Sequence, residues 1–218
     1  VLDSQNIHKS EEIWEQYSLP ETYHFSAHSL LSSAIAAWPE APTVLLREHY
    51  RCHPKIINFC NQKFYGGKLI VMTEDHEESD VLTMYRTAPG NHARGHLNQR
   101  QIDVIRQEVL PSLERQGYGS IGIITPYRDQ VAAIQTQLGK GLEVATVHKF
   151  QGREKDAIVL TSVDNVITDF VDDPRMLNVA VSRAVKSLTV VTSQDPQNDR
   201  TNYGDLARYI EYNNCAVI

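Results

Sequence analysis

Four short segments of the 218-residue chain concentrate side chains able to act on a phosphate or face a nucleobase: 48–54 (EHYRCHP), 125–130 (TPYRDQ), 146–156 (TVHKFQGREKD) and 177–184 (LNVAVSRA). Arg183 is the sharpest signal. Val179, Ala180, Val181 and Ala184 flank it, so it belongs near a helix–sheet interface, where a guanidinium without a partner is costly. A fixed anion nearby would account for it. Arginine suits a transferring phosphoryl group, because its planar donors match phosphate oxygens and its charge does not titrate away. Arg51 is the second such residue. Two readings of the pair stay open: both converge on one phosphate, or each forms a buried salt bridge, with Glu48 or Asp156.

Other constellations carry less. His24/His28, His49/His53 and His92/His96 have i,i+4 spacing. None has the HExxH arrangement, Gly90 and Gly95 flank the third pair, and no cysteine cluster adds ligands, so no metal site is expected. Cys52 beside His53 lacks a group to orient the base, and adjacent residues point apart. Cys52, Cys60 and Cys215 form neither a disulfide framework nor a CxxC knuckle, which favours a reducing compartment. Lys and Arg number 21 against 27 Asp and Glu, a net charge of −6, so contact with a polyanion has to be local rather than through a basic bulk surface. No stretch reaches the roughly 18 apolar residues that span a bilayer, and no basic-then-apolar leader opens the chain. A soluble, cytoplasmic protein with no membrane partner is expected.

The elements that must hold these segments follow from apolar periodicity. Residues 1–40 are Ser-rich and irregular, with helices predicted near Glu11–Tyr17 and Leu30–Trp38; they read as a lead-in segment, packed through Trp14 and Trp38 on a domain spanning 41–218. Thr43–Leu46 predicts a strand, and Pro54 opens a helix whose Ile57, Cys60 and Phe64 share one face until Gly66-Gly67 stops it. Five acids, Glu74, Asp75, Glu77, Glu78 and Asp80, predict a solvated loop. Further strands are predicted at Val81–Tyr85, Ile121–Ile124, Val144–Val147, Ala157–Leu160 and Leu188–Val191. Helices are predicted over 98–115 with the stripe Ile102, Ile105, Val109 and Leu113, after Thr125-Pro126 with Val131, Ile134 and Leu138, around Met176–Ala184, and over Tyr203–Tyr212. Such alternation predicts an α/β domain with a mostly parallel sheet and helices on both faces. Ligands of such sheets lie beyond the carboxyl ends of the strands.

Together the stretches HYRCHPKIINFCNQKFYGGKL, ITPYRDQ, VATVHKFQGREKDAIVLTSV and MLNVAVSRAVKSLTVV resemble successive motifs of the second RecA-like domain of superfamily 1 helicases. The nearest branch includes the nonsense-mediated-decay RNA helicase and related DNA helicases. The resemblance implies a RecA-like, P-loop-NTPase-type domain of an ATP-dependent helicase. It implies that Arg51 and Arg183 are paired arginine fingers for the γ-phosphate of ATP, that Tyr50 stacks on the adenine, and that Gln151, Gly152 and Glu154 close on the phosphates and ribose. It further implies that Thr125, Pro126 and Tyr127, with Thr146, Val147, His148 and Lys149, face single-stranded nucleic acid, DNA or RNA, and grip it without reading bases. The loop GxxxxGKS/T, a DEAS-like Mg²⁺ motif and GDxxQ do not occur in this sequence, so the domain lacks its own Walker A loop. ATP and Mg²⁺ are therefore expected to be bound mainly by a first RecA-like domain of the same polypeptide. A chain opening on Val1 is expected to be a fragment, inactive alone. The alternative is a non-catalytic RecA-like scaffold or partner-binding module.

Overall fold

Strands that are apolar on both faces must be covered on both faces, and this decides the architecture. The computed structural model describes residues 4–90, 93–139, 141–193, 200–213 and 216–217. The chain divides into two compact units, 1–46 and 47–218. The first holds α1 (Ser4–Tyr17), a 3-10 turn at Glu21–Tyr23, and α2 (Leu30–Ala37), whose N-cap Ser29 accepts the Ser32 N–H. Within it Trp14 meets His24 edge-on, and Trp38 is exposed.

The second unit opens with β1 (Glu48–His49) rather than with the strand predicted at Thr43–Leu46. That run is irregular and Val44, Leu45 and Leu46 are exposed. Pairing explains the shift: β2 (Ile70–Val71) stands in register with Glu48 and His49. Between them α3 (Pro54–Phe64) begins at the N-cap His53 and ends where Gly66 and Gly67 take φ of +58° and +73°, conformations that a Cβ resists. There follow β3 (Leu82–Arg86), the hairpin β4 (Ala93–Arg94) and β5 (Leu97–Asn98), and α4 (Gln99–Val104). A π turn at Ile105–Val109 leads into α5 (Leu110–Arg115), resetting the helix register just before Pro111, which has no N–H to give. The chain then forms β6 (Ile121–Thr125), α6 (Arg128–Leu138), β7 (Glu143–Thr146), α7 (Val147–Phe150), β8 (Lys155–Thr161), α8 (Pro174–Val181), β9 (Ala184–Thr192), α9 (Asn202–Tyr212) and β10 (Ala216–Val217).

Six strands make one parallel sheet in the order β10-β3-β9-β8-β6-β7. Their pleat sorts the apolar runs into two cores. Ile124, Ile158, Leu160, Leu188 and Val190 join residues of α3, α8 and α9 on one face. Ile123, Val159 and Val191 join Ile102, Ile105, Val109, Leu113 and Ile134 on the other. The domain is thus α/β with a parallel sheet covered on both faces. One predicted cap moves: α6 starts at Arg128 behind the N-cap Tyr127, because Thr125 is still paired with Thr146 at the ends of β6 and β7. Among the described residues no helix is long and apolar enough to cross a membrane.

Gly122 in β6 is a packing requirement. A Cβ there would lie 2.7 Å from Phe150 Cζ, 2.9 Å from Lys155 Cγ and 3.1 Å from Ile158 Cδ1, and Phe150 is fully buried. Gly122→Ala is expected to destabilise the domain by about 1–3 kcal/mol through overpacking, read as a lower urea midpoint at an unchanged m-value.

Candidate functional site

Backbone contacts bring the two arginine segments together. The His53 N–H donates to Val185 O (2.7 Å) and the Cys52 thiol to Ser182 O (3.4 Å), laying the turn 50–53 on the chain that enters β9. Arg183 immediately precedes β9, and its carbonyl accepts the Lys155 N–H (3.1 Å) from the start of β8. Arg51, Arg183 and Glu154 therefore gather at the amino ends of β8 and β9. This corrects the expectation that the chemistry lies beyond the carboxyl ends. The segment 146–156 runs from one edge of the sheet to the other, so its two halves serve different edges.

Arg51 Nε forms an ion pair with Glu154 Oε2 at 2.5 Å. Neither carboxylate considered from the sequence takes an arginine. Glu48 accepts the Tyr50 O–H (2.5 Å), and Asp156 pairs with Lys186 (3.0 Å) and accepts the Ser120 N–H (3.1 Å), which holds its carboxyl below the usual range. Arg183 has no carboxylate partner among the described residues. It donates from Nε to Val179 O (3.1 Å), from Nη1 to Arg153 O (3.3 Å) and from Nη2 to Ser182 Oγ (3.0 Å). One N–H on each terminal nitrogen stays available. Burial, then the charge of Arg51, lowers the Arg183 pKa. Burial, then the charges of both arginines, also keeps His49 below the ordinary imidazole range. His49 is neutral at pH 7, and its Nε2 accepts the Cys52 N–H (2.9 Å).

A cleft of about 460 Å³ is lined by Glu48, His49, Tyr50, Arg51, Glu154 and Val185; Arg183 is not part of its lining. The Tyr50 ring is 66% exposed. Gln151 and Gly152 do not line the cleft. They are the middle of a type II turn, with Gln151 at φ −59°, ψ 130°, Gly152 at φ +82° and the Arg153 N–H donating to Phe150 O (3.1 Å). Gly152 is needed for its backbone angle, since nothing lies within 4 Å of a Cβ placed there. The turn matters to the arginine because Arg153 O is one of its three anchors.

At the opposite edge, the residues expected to face nucleic acid divide by burial. Thr125, Pro126 and Val147 are buried, and Val147 belongs to the core around Phe150. Their side chains are shut off from solvent, which leaves their backbone to meet a ligand. Thr146 is buried as well, Tyr127 half-buried, and His148 and Lys149 exposed. Thr125 Oγ1 is buried with no hydrogen-bond partner.

Sequence reasoning missed what surrounds Tyr127. His96 stacks flat on its ring and Phe170 stacks less closely, while the Tyr127 O–H donates to Asp164 Oδ2 (2.7 Å). Beneath lies a buried polar network. Asn98 Nδ2 donates to Val163 O (2.7 Å), and Gln101 Oε1 accepts both the Val163 N–H (3.0 Å) and the Thr161 hydroxyl (2.5 Å). It holds Val163 at φ +67°. Apolar periodicity hid these partners, because Asn98 and Gln101 look like solvent-facing helix residues.

His92 lies outside the described residues. His53 Nδ1 accepts the Lys55 N–H (3.1 Å), so Nε2 carries the proton and donates to Glu78 Oε2 (3.2 Å), with Asp75 Oδ1 at 3.4 Å. The ligand atoms of His53, Asp75 and Glu78 fall within 4.8 Å of one another. The ring lone pair is already spent on Lys55 N–H and Lys55 Nζ pairs with Asp75 at 3.5 Å, so the group acts as a latch tying the acidic loop to α3. Burial pushes the Cys52 thiol up to about 11, which leaves it un-ionised at neutral pH.

Two outcomes follow from this geometry. Gly152→Ala is expected to cost about 1 kcal/mol in denaturant unfolding through its left-handed backbone. Backbone N–H groups, its own first, then those of His76 and the His53 ring, hold Glu78 down to about 2. With the folded value below the unfolded one, its stabilisation is complete above about pH 4.5 and lost as pH falls towards 2. The melting-temperature gap between wild type and Glu78→Gln is therefore expected to favour wild type at pH 7 and to close near pH 2.

A family profile described as AAA domain matches residues 26–195. An uncharacterized ATP-dependent helicase of Caenorhabditis elegans is 30% identical over 81% of this chain and 13% of that protein. The 5'-3' DNA helicase ZGRF1 of Mus musculus is 30% identical over 77% and 10%, and Regulator of nonsense transcripts 1 of Dictyostelium discoideum 32% identical over 72% and 14%. A solved structure, the C-terminal domain of a possible DNA helicase from Lactobacillus plantarum WCFS1, aligns with a TM-score of 0.46 at 18% identity over 66% of this chain and 87% of that one. The chain spans between 10% and 14% of these three curated relatives. It belongs to the AAA domain family.

Proposed function

We propose that this chain is the second RecA-like motor domain of a superfamily 1 helicase, and that Arg51 and Arg183 are its arginine fingers. The carrying observation is that two guanidiniums from segments far apart in the chain meet at one edge of the sheet, beside a cleft. Arg183 is held by three neutral acceptors and keeps free N–H donors, the state suited to a terminal phosphate whose charge grows in the transition state. Arg51 is aligned by Glu154 through Nε, with both terminal nitrogens left for a ligand. Tyr50 offers an exposed ring to an adenine. Glu154 thus acts first on Arg51, and it reaches a ribose hydroxyl only by leaving that pair. Gln151 and Gly152 act through the turn that fixes Arg153 O.

Charge explains why this domain is half of a site. The cleft sets Glu48 and Glu154 against Arg51, so the local field does not favour a triphosphate. The missing attraction comes from a first RecA-like domain, which would hold ATP and Mg²⁺. The phosphates would be polarised there, while this chain's arginines stabilise the charge that develops. At the carboxyl edge the backbone at 125–127 and 146–147, with His148 and Lys149, would hold a single strand of DNA or RNA by its sugar–phosphate chain. Buried, un-ionised thiols at Cys52 and Cys60 suit a reducing, cytoplasmic setting.

Arg183→Ala in the full polypeptide is expected to lower ATP turnover by about 10³- to 10⁵-fold and to leave single-strand binding near normal, measured by steady-state ATPase and fluorescence anisotropy. Turnover that survives while binding collapses would remove the arginine assignment. The 218-residue chain alone is expected to show no turnover.

A further inference from the structure

The edge that bears the polar loops also carries a column of rings, of which Tyr127 packs against the core and the two outer ones are open to solvent. His96, at the turn of the β4–β5 hairpin, lies on Tyr127 with centroids 4.2 Å apart and planes 4° apart. Tyr127 meets Phe170 at 5.6 Å and 25°. The three rings come from the hairpin after β3, the end of β6 and the loop after β8. Tyr127 is the shared partner, so His96 and Phe170 are the ends, and they remain 62% and 47% exposed. A column ordered this closely, yet left open to water, can take up another flat π system.

We infer that the His96 end of this column is a stacking platform for one unstacked base of a single strand. The inference rests on the reading that nucleic acid crosses this edge, and it adds a contact to the base rather than to the backbone. Charge selects the base. Asp129 Oδ2 lies 4.0 Å from His96 Nδ1, and Asp164 takes the Tyr127 hydroxyl, so phosphate is repelled at the column. Of the exposed cations of this edge, Arg128 and Lys149 belong to neighbouring turns and Arg94 to β4. A paired base is already stacked on both faces, so the platform suits single strands, and every base has a π face, so it needs no particular sequence.

The test uses the 218-residue chain, at protein concentrations up to the millimolar range, with three ten-unit probes: a deoxythymidine strand and a uridine strand, each with a central 2-aminopurine, and a deoxyribose-phosphate strand without bases. Expected results are 2-aminopurine quenching on binding, a loss of about 5- to 150-fold in affinity for base-bearing strands in His96→Ala, retention in His96→Phe, and equal affinity of wild type and His96→Ala for the baseless strand. The two base-bearing arms tell whether DNA, RNA or both are held. Equal weakening of baseless and base-bearing strands in His96→Ala would show that the hairpin only supports the loop, and would overturn the platform. So would unchanged affinity for every strand, with the reading of this edge left standing. Failure of wild type to bind any of the three strands would remove both.

Discussion

One short contact sets the distance on which the candidate site depends: the turn 50–53 is hung from the chain entering β9 by the His53 N–H on Val185 O and the Cys52 thiol on Ser182 O. Two like charges, Arg51 and Arg183, are held near each other at a cost. The backbone meets that cost. Arg183 is satisfied by carbonyls and a hydroxyl, Arg51 by Glu154, and neither needs the other to move. Cys52 is fully buried at this junction, where a small side chain lets the turn lie flat on the strand.

The parallel sheet separates two tasks. Its amino edge carries the arginines and the cleft, and its carboxyl edge carries the polar loops and the ring column. Strand β8 joins the two directly, from Lys155 beside Glu154 to Thr161 beneath the Val163 network. Seven residues at roughly 3.3 Å each make a stiff link of roughly 20 Å, hydrogen-bonded on both sides by β6 and β9.

The exit from β8 is the strained point of the fold. A β-branched residue at positive φ costs of order 1–3 kcal/mol, and Val163 holds that conformation fully buried. Asn98 and Gln101 offset the cost by taking both of its backbone groups. The same two side chains fix the base of the hairpin that carries His96, because Asn98 ends β5 and its N–H donates to Gln130 Oε1 (2.9 Å) on α6. Hairpin, α6 and the loop after β8 are thereby locked into one unit.

Local chemistry was enough for much of this protein. Apolar runs at 121–124, 157–160 and 188–191, alternating with amphipathic helices, dictate an α/β sheet covered on both faces, because no other arrangement hides so much apolar surface. An arginine set among Val179, Ala180, Val181 and Ala184 announces a special environment, since a charge there must be compensated. Pairing and burial are set by residues distant in the chain, and they overrode the local signals. Thr43–Leu46 has strand propensity yet no partner. Val147 and Pro126 sit in motif segments yet turn inward, and Gly152 takes the left-handed position of a turn. The meeting of His96, Tyr127 and Phe170, and the choice of Glu154 over Glu48 or Asp156 as the acceptor for Arg51, arise from strand order and crossover geometry, which bring together groups that no spacing along the chain relates.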